Sequence, residues 1–201
     1  MVVADGEPGG RRTALGEHLV WLVGALRRHH EAEDALGRLV VRHEPAAAPL
    51  VATMDAEHGA ISPAAGALEE TAREYAGGAA PAPLLDALAG LDAVLLPHLE
   101  REEAELVPIA EQCVPPEQWR AWHRFRTAET VGSAQRALEV HWVLDGADPR
   151  TRAAVLARQP AVPRLLHGLR RAYARRVREL WVGTPAAAVP ALTLQNYGDW
   201  V

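Results

Sequence analysis

Leu95-Leu96-Pro97-His98-Leu99-Glu100-Arg101-Glu102-Glu103-Ala104-Glu105-Leu106-Val107-Pro108 sets a histidine and, four and five residues later, two carboxylates into an apolar helical stripe. The stripe runs Leu84, Leu88, Leu91, Leu95, His98, Glu102 and Ile109, at spacings of three, four or seven. His98 and Glu102 therefore stand where a bundle helix ordinarily carries leucine. Polar side chains on a buried face need partners, because burial without compensation is costly. The stretch thus predicts an all-α protein with a polar site inside it.

The same pattern occurs upstream. Helical periodicity begins near Thr13, whose hydroxyl is placed to cap a helix with the face Leu15, His18, Leu22, Leu26, His29, Glu33, Leu36 and Val40. His29 and Glu33 are one turn apart on one face, and Pro45 to Pro49 ends this helix. A second helix from about Leu50 to Tyr75 aligns Met54, His58, Ile61, Ala65, Leu68 and Ala72, with Ser62-Pro63 expected to bend or split it. Gly77-Gly78, Pro81 and Pro83 form a break before the third helix, Leu84 to about Gln112, in which Pro97 is a candidate kink.

Pro115-Pro116 stops the third helix, and short helices are expected around Trp119, Trp122 and Phe125 and from Val131 to Leu144. After a turn at Asp145 to Pro149, one more amphipathic, Arg-rich helix spans Pro163 to Trp181. The expected organisation is a disordered leader (1–12), a helical bundle (13–114), a helical extension (115–182) and an irregular tail (183–201).

With 201 residues and 49% hydrophobic content, the chain suits one domain with a full core plus an appendage. No uncharged apolar run of spanning length is present, and Asp5 and Glu7 do not fit a signal peptide, so a cytoplasmic protein without a membrane segment is expected. A net charge of −5, with every basic residue an arginine, points away from nucleic acid. Cys113 is the only cysteine, which excludes an intrachain disulfide and thiolate metal cages. Any metal must be held by His and carboxylate. No Gly-rich phosphate loop and no Ser-His-Asp spacing stands out.

Laid out as antiparallel neighbours, the helices bring these polar positions level. Glu33 lies about 13 Å from the end of its helix and His58 about 13 Å from the start of the next, while His58 and Glu102 each lie about 28 Å from the connection between the second and third helices. Imidazole and carboxylate donors inside a bundle suit iron or manganese. A mononuclear or dinuclear centre on His29, Glu33, His58, His98 and Glu102 or Glu103 follows. His30 and Asp34 form an equally spaced pair one residue on, which leaves the register of that helix open. Any one of these histidines alone is more simply a hydrogen-bonded core imidazole; the doubled His-x-x-x-Glu at matching heights favours a metal.

His29-His30-Glu31-Ala32-Glu33-Asp34, Ala56-Glu57-His58-Gly59-Ala60-Ile61 and His98-Leu99-Glu100-Arg101-Glu102-Glu103 resemble the repeats of hemerythrin-like, HHE cation-binding proteins. Val143 to Pro149 and Tyr173-Ala174-Arg175-Arg176-Val177 resemble the C-terminal extension of a bacterial subgroup. The resemblance implies an up-and-down four-helix bundle holding a non-haem diiron centre that binds dioxygen or reacts with peroxide or nitric oxide. It implies that His29 and Glu33, His58, and His98 with Glu103 are the ligands, Glu102 being the neighbouring alternative.

The pattern also departs from the family. The sequence begins in what would be the loop after the family's first, His-bearing helix, so the bundle is expected to be incomplete at its N-terminus. His18 does not replace the lost ligand, since eleven residues along one helix separate it from His29 by about 16 Å. Ser62 occupies the place of a further histidine, and Arg38-Leu39 stands where an aromatic residue and proline are usual. The open side would be closed by the Pro163–Trp181 helix or by a second copy of the chain as a homodimer. His123, His141 and His167 are read as packing or surface residues. Three functions remain open: binding or sensing of dioxygen, nitric oxide or peroxide; oxidation of a small molecule by a diiron enzyme; or a metal-free bundle acting through protein interactions.

Overall fold

The computed structural model describes residues 9–128, 133–145, 147, 150, 153 and 162–185, and every regular element among them is a helix. The chain divides into two compact units, Val3–Thr130 and Val131–Val201.

In the first unit α1 (Gly9–His43) turns through a short 3₁₀ segment (Pro45–Ala47) into α2 (Ala48–Ala76), which is followed by α3 (Pro81–Arg101). A single π turn (Glu102–Leu106) leads into α4 (Val107–Cys113), and α5 (Pro116–Ala128) completes the unit. The short connections make α1, α2 and α3 antiparallel, with α2 packed against both of the others. Prolines in the first turns of α2, α3 and α4 fit there because those N–H groups have no helical partner. Pro63 lies inside α2 without splitting it.

Helix α1 starts at least four residues before Thr13, which is an interior residue and not its cap. Gly9 to Arg12, expected in a disordered leader, are helical, and Arg11 is buried. Arg12 explains this order. Its Nε and Nη2 donate to the Tyr75 carbonyl at 3.2 and 3.1 Å, Nη2 also reaches the Ala79 carbonyl, and the guanidinium lies 4.2 Å from the Tyr75 ring centroid. The start of α1 is thereby tied to the last turn of α2 and to the connection that follows it. Gly78, at φ +109°, reverses the chain just beyond.

Close approach of α1 and α2 depends on two glycines. A Cβ on Gly16 would meet the Ala72 carbonyl oxygen at 2.5 Å, and one on Gly37 would meet Val51 Cγ1 at 2.9 Å. Beyond Gly37, Leu36, Val40, Val51, Met54, Leu106, Ala110, Val114 and Trp122 form an apolar plug joining α1, α2, the π turn, α4 and α5. Trp122 also donates its Nε1–H to the Ala32 carbonyl at 2.7 Å. Helix α5 therefore belongs to the first unit, whereas the sequence pattern assigned everything after residue 114 to an extension.

Pro81–Cys113 is long and apolar enough by composition to cross a membrane, and its most apolar window is only 17% buried. Leu85 and Leu96 are exposed on α3, alternating with exposed Asp86, Asp92 and Glu100.

In the second unit α6 (Ser133–Leu144) packs against α7 (Val162–Trp181) through buried Leu144, Tyr173 and Leu180. His141 is fully buried and stacks on Tyr173 with ring centroids 4.9 Å apart; the Tyr173 hydroxyl donates to Asp145 at 2.6 Å. The side chains of His123 and His167, and most of the expected tail, lie outside the described residues.

Candidate metal centre

Three antiparallel helices bring His30, Glu33, His58 and His98 together between α1, α2 and α3. One ligand atom from each lies within 4.8 Å of the others. A second group of the same closeness, His29, Glu33 and Glu102, shares Glu33 with the first. Both sit on the plug described above, and a cavity of about 10 Å³, room for about one water molecule, lies against them. Its walls are Glu33, His58, His98 and Glu102 on the polar side and Gly37, Val51, Met54 and Leu106 on the apolar side.

The imidazoles are oriented from behind. His98 Nδ1 donates to Glu57 Oε2 at 3.1 Å, and Glu57 Oε1 accepts from Arg101 Nε at 3.0 Å. His58 Nδ1 donates to Asp34 Oδ1 at 2.8 Å. A carboxylate at Nδ1 holds a proton there, so that the neutral ring carries its lone pair on Nε2. The Nε2 atoms of His30, His58 and His98 and both oxygens of Glu33 are buried without a hydrogen-bond partner. Glu33 Oε1 lies 2.7 Å from His29 Nε2 and Oε2 lies 3.5 Å from His58 Nε2, within ion-pair reach but outside hydrogen-bond geometry. Native proteins rarely leave so many buried polar atoms unpaired at one point. Five convergent electron-pair donors are what a cation needs, so the residues present fit a metal ion.

The charge states differ along the cluster. Burial, and then the neighbouring His58, lower the His30 pKa to about 4, so it is a neutral donor at physiological pH. Burial alone would raise the Glu33 carboxyl, but the His29 and His58 imidazoles hold it well below the ordinary carboxylate range. Burial likewise opposes protonation of His58, yet Glu33 and Asp34 raise its pKa. Burial and the adjacent Glu33 push Glu102 up to about 7. A divalent cation between the two carboxylates would remove that repulsion.

Glu33, His58 and His98 fall in the larger group and His29 and Glu102 in the smaller, so five of the six sequence-predicted residues come together. Glu103, matched to a ligand by resemblance, is exposed and belongs to neither group. The difference arises at the π turn, whose extra residue widens the helix ahead of Pro108, a residue with no N–H to give and a ring that crowds the turn before it. Glu102 opens that turn on the inner side. His30, whose register against His29 the sequence left open, is the more buried of the two, and its ring stacks on His58 with centroids 4.2 Å apart. Both registers of His29-His30 are used, one in each group. Glu57 carries no signal of its own in the sequence; its position before His58 is visible only once α3 is packed against α2.

A family model for the hemerythrin HHE cation-binding domain matches residues 2–110. The chain belongs to the hemerythrin HHE cation-binding family. All the residues of the two groups lie inside that match. No curated protein and no solved structure matched the chain. The hemerythrin HHE assignment agrees with the all-α bundle and with a His/Glu cluster able to hold a cation, and α5 with its Trp122 bond to α1 lies beyond the matched residues.

Proposed function

We propose that this hemerythrin HHE protein holds a dinuclear non-haem iron centre and binds or senses dioxygen, nitric oxide or peroxide. The single observation that carries the reading is the set of buried Nε2 atoms of His30, His58 and His98, without hydrogen-bond partners, gathered beside the Glu33 carboxylate. The two groups sharing Glu33 support two metal positions with its carboxylate between them. When bound, the iron pair supplies the redox chemistry. The chain's residues do the remaining work: Glu57 and Asp34 hold the Nδ1 protons of His98 and His58, and the apolar plug excludes water.

The unpartnered donors argue against a metal-free bundle, in which such groups would carry an uncompensated desolvation cost. Exposed Asp86, Asp92 and Glu100 on α3 support a water-facing helix. The test is elemental analysis of the native protein followed by exposure of the reduced form to each ligand. Two irons per chain and ligand-dependent absorption bands are expected; a native protein without iron, or iron whose spectrum no ligand changes, overturns the proposal.

A further inference from the structure

The two groups that share Glu33 differ in donor chemistry, burial and support. The first offers three imidazoles and one carboxylate: His30, His58, His98 and Glu33. The second offers one imidazole and two carboxylates: His29, Glu33 and Glu102. In the first, the side chains of His98 and His58 are 1% and 12% exposed; in the second, that of His29 is 37% exposed. Carboxylates hold His98 and His58 in place through Nδ1, while among the described residues no side chain does so for His29.

Divalent affinity rises from manganese to iron at any site of nitrogen and oxygen donors, but imidazole suits iron whereas carboxylate suits manganese. The gap between the two metals is therefore wide at a three-imidazole position and narrow at a carboxylate-rich one. A preoriented, buried position also loses less freedom on binding than a half-exposed one.

We infer that the two positions are unequal: the His30–His58–His98 position fills first and selects iron over manganese, while the His29–Glu33–Glu102 position fills second, exchanges, and accepts manganese. This rests on the dinuclear reading above. Glu33 is the shared element, with Oε1 on the His29 side and Oε2 on the His58 side. Each position thus has its own Glu33 oxygen on its side.

The experiment loads the metal-free full-length protein anaerobically with one equivalent each of ferrous iron and manganese, in both orders. Free metal is removed before elemental mass spectrometry and manganese electron paramagnetic resonance. One iron and one manganese per chain, the same in either order, with the manganese signal altered by a neighbouring paramagnet, is the expected result. Glu102→Gln, which preserves side-chain volume, should keep the first iron and weaken binding of the second metal by at least about tenfold, with His29→Gln behaving likewise.

Iron and manganese distributed in proportion to supply, or two irons taken up with the same affinity, overturns the inequality and leaves the dinuclear reading standing. Equal weakening of both metals by Glu102→Gln also overturns it. A chain that never takes more than one metal overturns both.

Discussion

Both units bury a histidine beside an acidic residue, and the two arrangements differ in one respect that matters. In the second unit, fully buried His141 stacks on Tyr173, whose hydroxyl donates to Asp145 at 2.6 Å, so the carboxylate has its donor within the cluster. In the first unit, fully buried His98 is bonded only through Nδ1, and its Nε2 points with those of His30 and His58 at a carboxylate that accepts no hydrogen bond. The pattern in the second unit closes on itself, and that in the first is open at one point. A buried polar cluster that satisfies its own groups stabilises a fold; one that leaves several donors convergent and unpaired is built for something that comes from outside.

The comparison breaks most directly at His98. His98→Ala should abolish metal uptake at the imidazole-rich position, measured as loss of metal from the purified protein. Tyr173→Phe should leave metal content unchanged; a loss of metal in that variant would dissolve the distinction. Asp34→Asn and Glu57→Gln leave every metal-facing atom in place but disturb the Nδ1 contacts, and each should lower metal affinity by about 10- to 100-fold in competition with a chelator.

Proton linkage provides the next test, on the metal-free protein. Folded His30 takes up its proton at about 4 against 6.5 for a solvated imidazole, so the unfolded chain binds more protons between these limits. Its stabilising contribution is full above about pH 6.5 and is lost as pH falls toward 4. For Glu102, at about 7 against 4.5, the folded chain retains the proton longer, so its contribution is full below about pH 4.5 and is lost as pH rises through 7. The thermal midpoint of the metal-free protein should therefore fall less between about pH 6 and about pH 8 in Glu102→Gln than in the parent chain. An undiminished fall would remove Glu102 as its source. Smallest of all, Tyr173→Phe should cost about 1 kcal/mol in a denaturation experiment that follows the second unit, with no dependence on added metal.

Much of this was legible in the residues. His98 and Glu102 in a leucine stripe, and His29 and Glu33 in another, announced polar chemistry inside helices, because period and spacing determine which side chains share a face. Levels were legible too, since short connections and a fixed rise per residue align Glu33, His58 and Glu102. What escaped were details of a few tens of degrees of rotation. Whether His29 or His30 faces α2 depends on how α1 turns when it packs closely at Gly16 and Gly37. Whether Glu102 or Glu103 faces inward depends on the π turn before Pro108, which no stripe of leucines reveals. Arg12 and Trp122 escaped for another reason: each acts on a backbone carbonyl more than sixty residues away.

The sequence by itself determined that the chain is helical, where most of its helices end, and which residue types meet in its interior, because periodicity, proline and glycine act locally. Only the tertiary structure decided which atoms converge. Glu57 and Asp34 become the supports of His98 and His58, His29 and His30 divide between two groups, and Glu103 is left in solvent. The physical reason is that a ligand site is set by directions: a helix placed in the right order at the right height still has a rotation to choose, and packing against its neighbours chooses it.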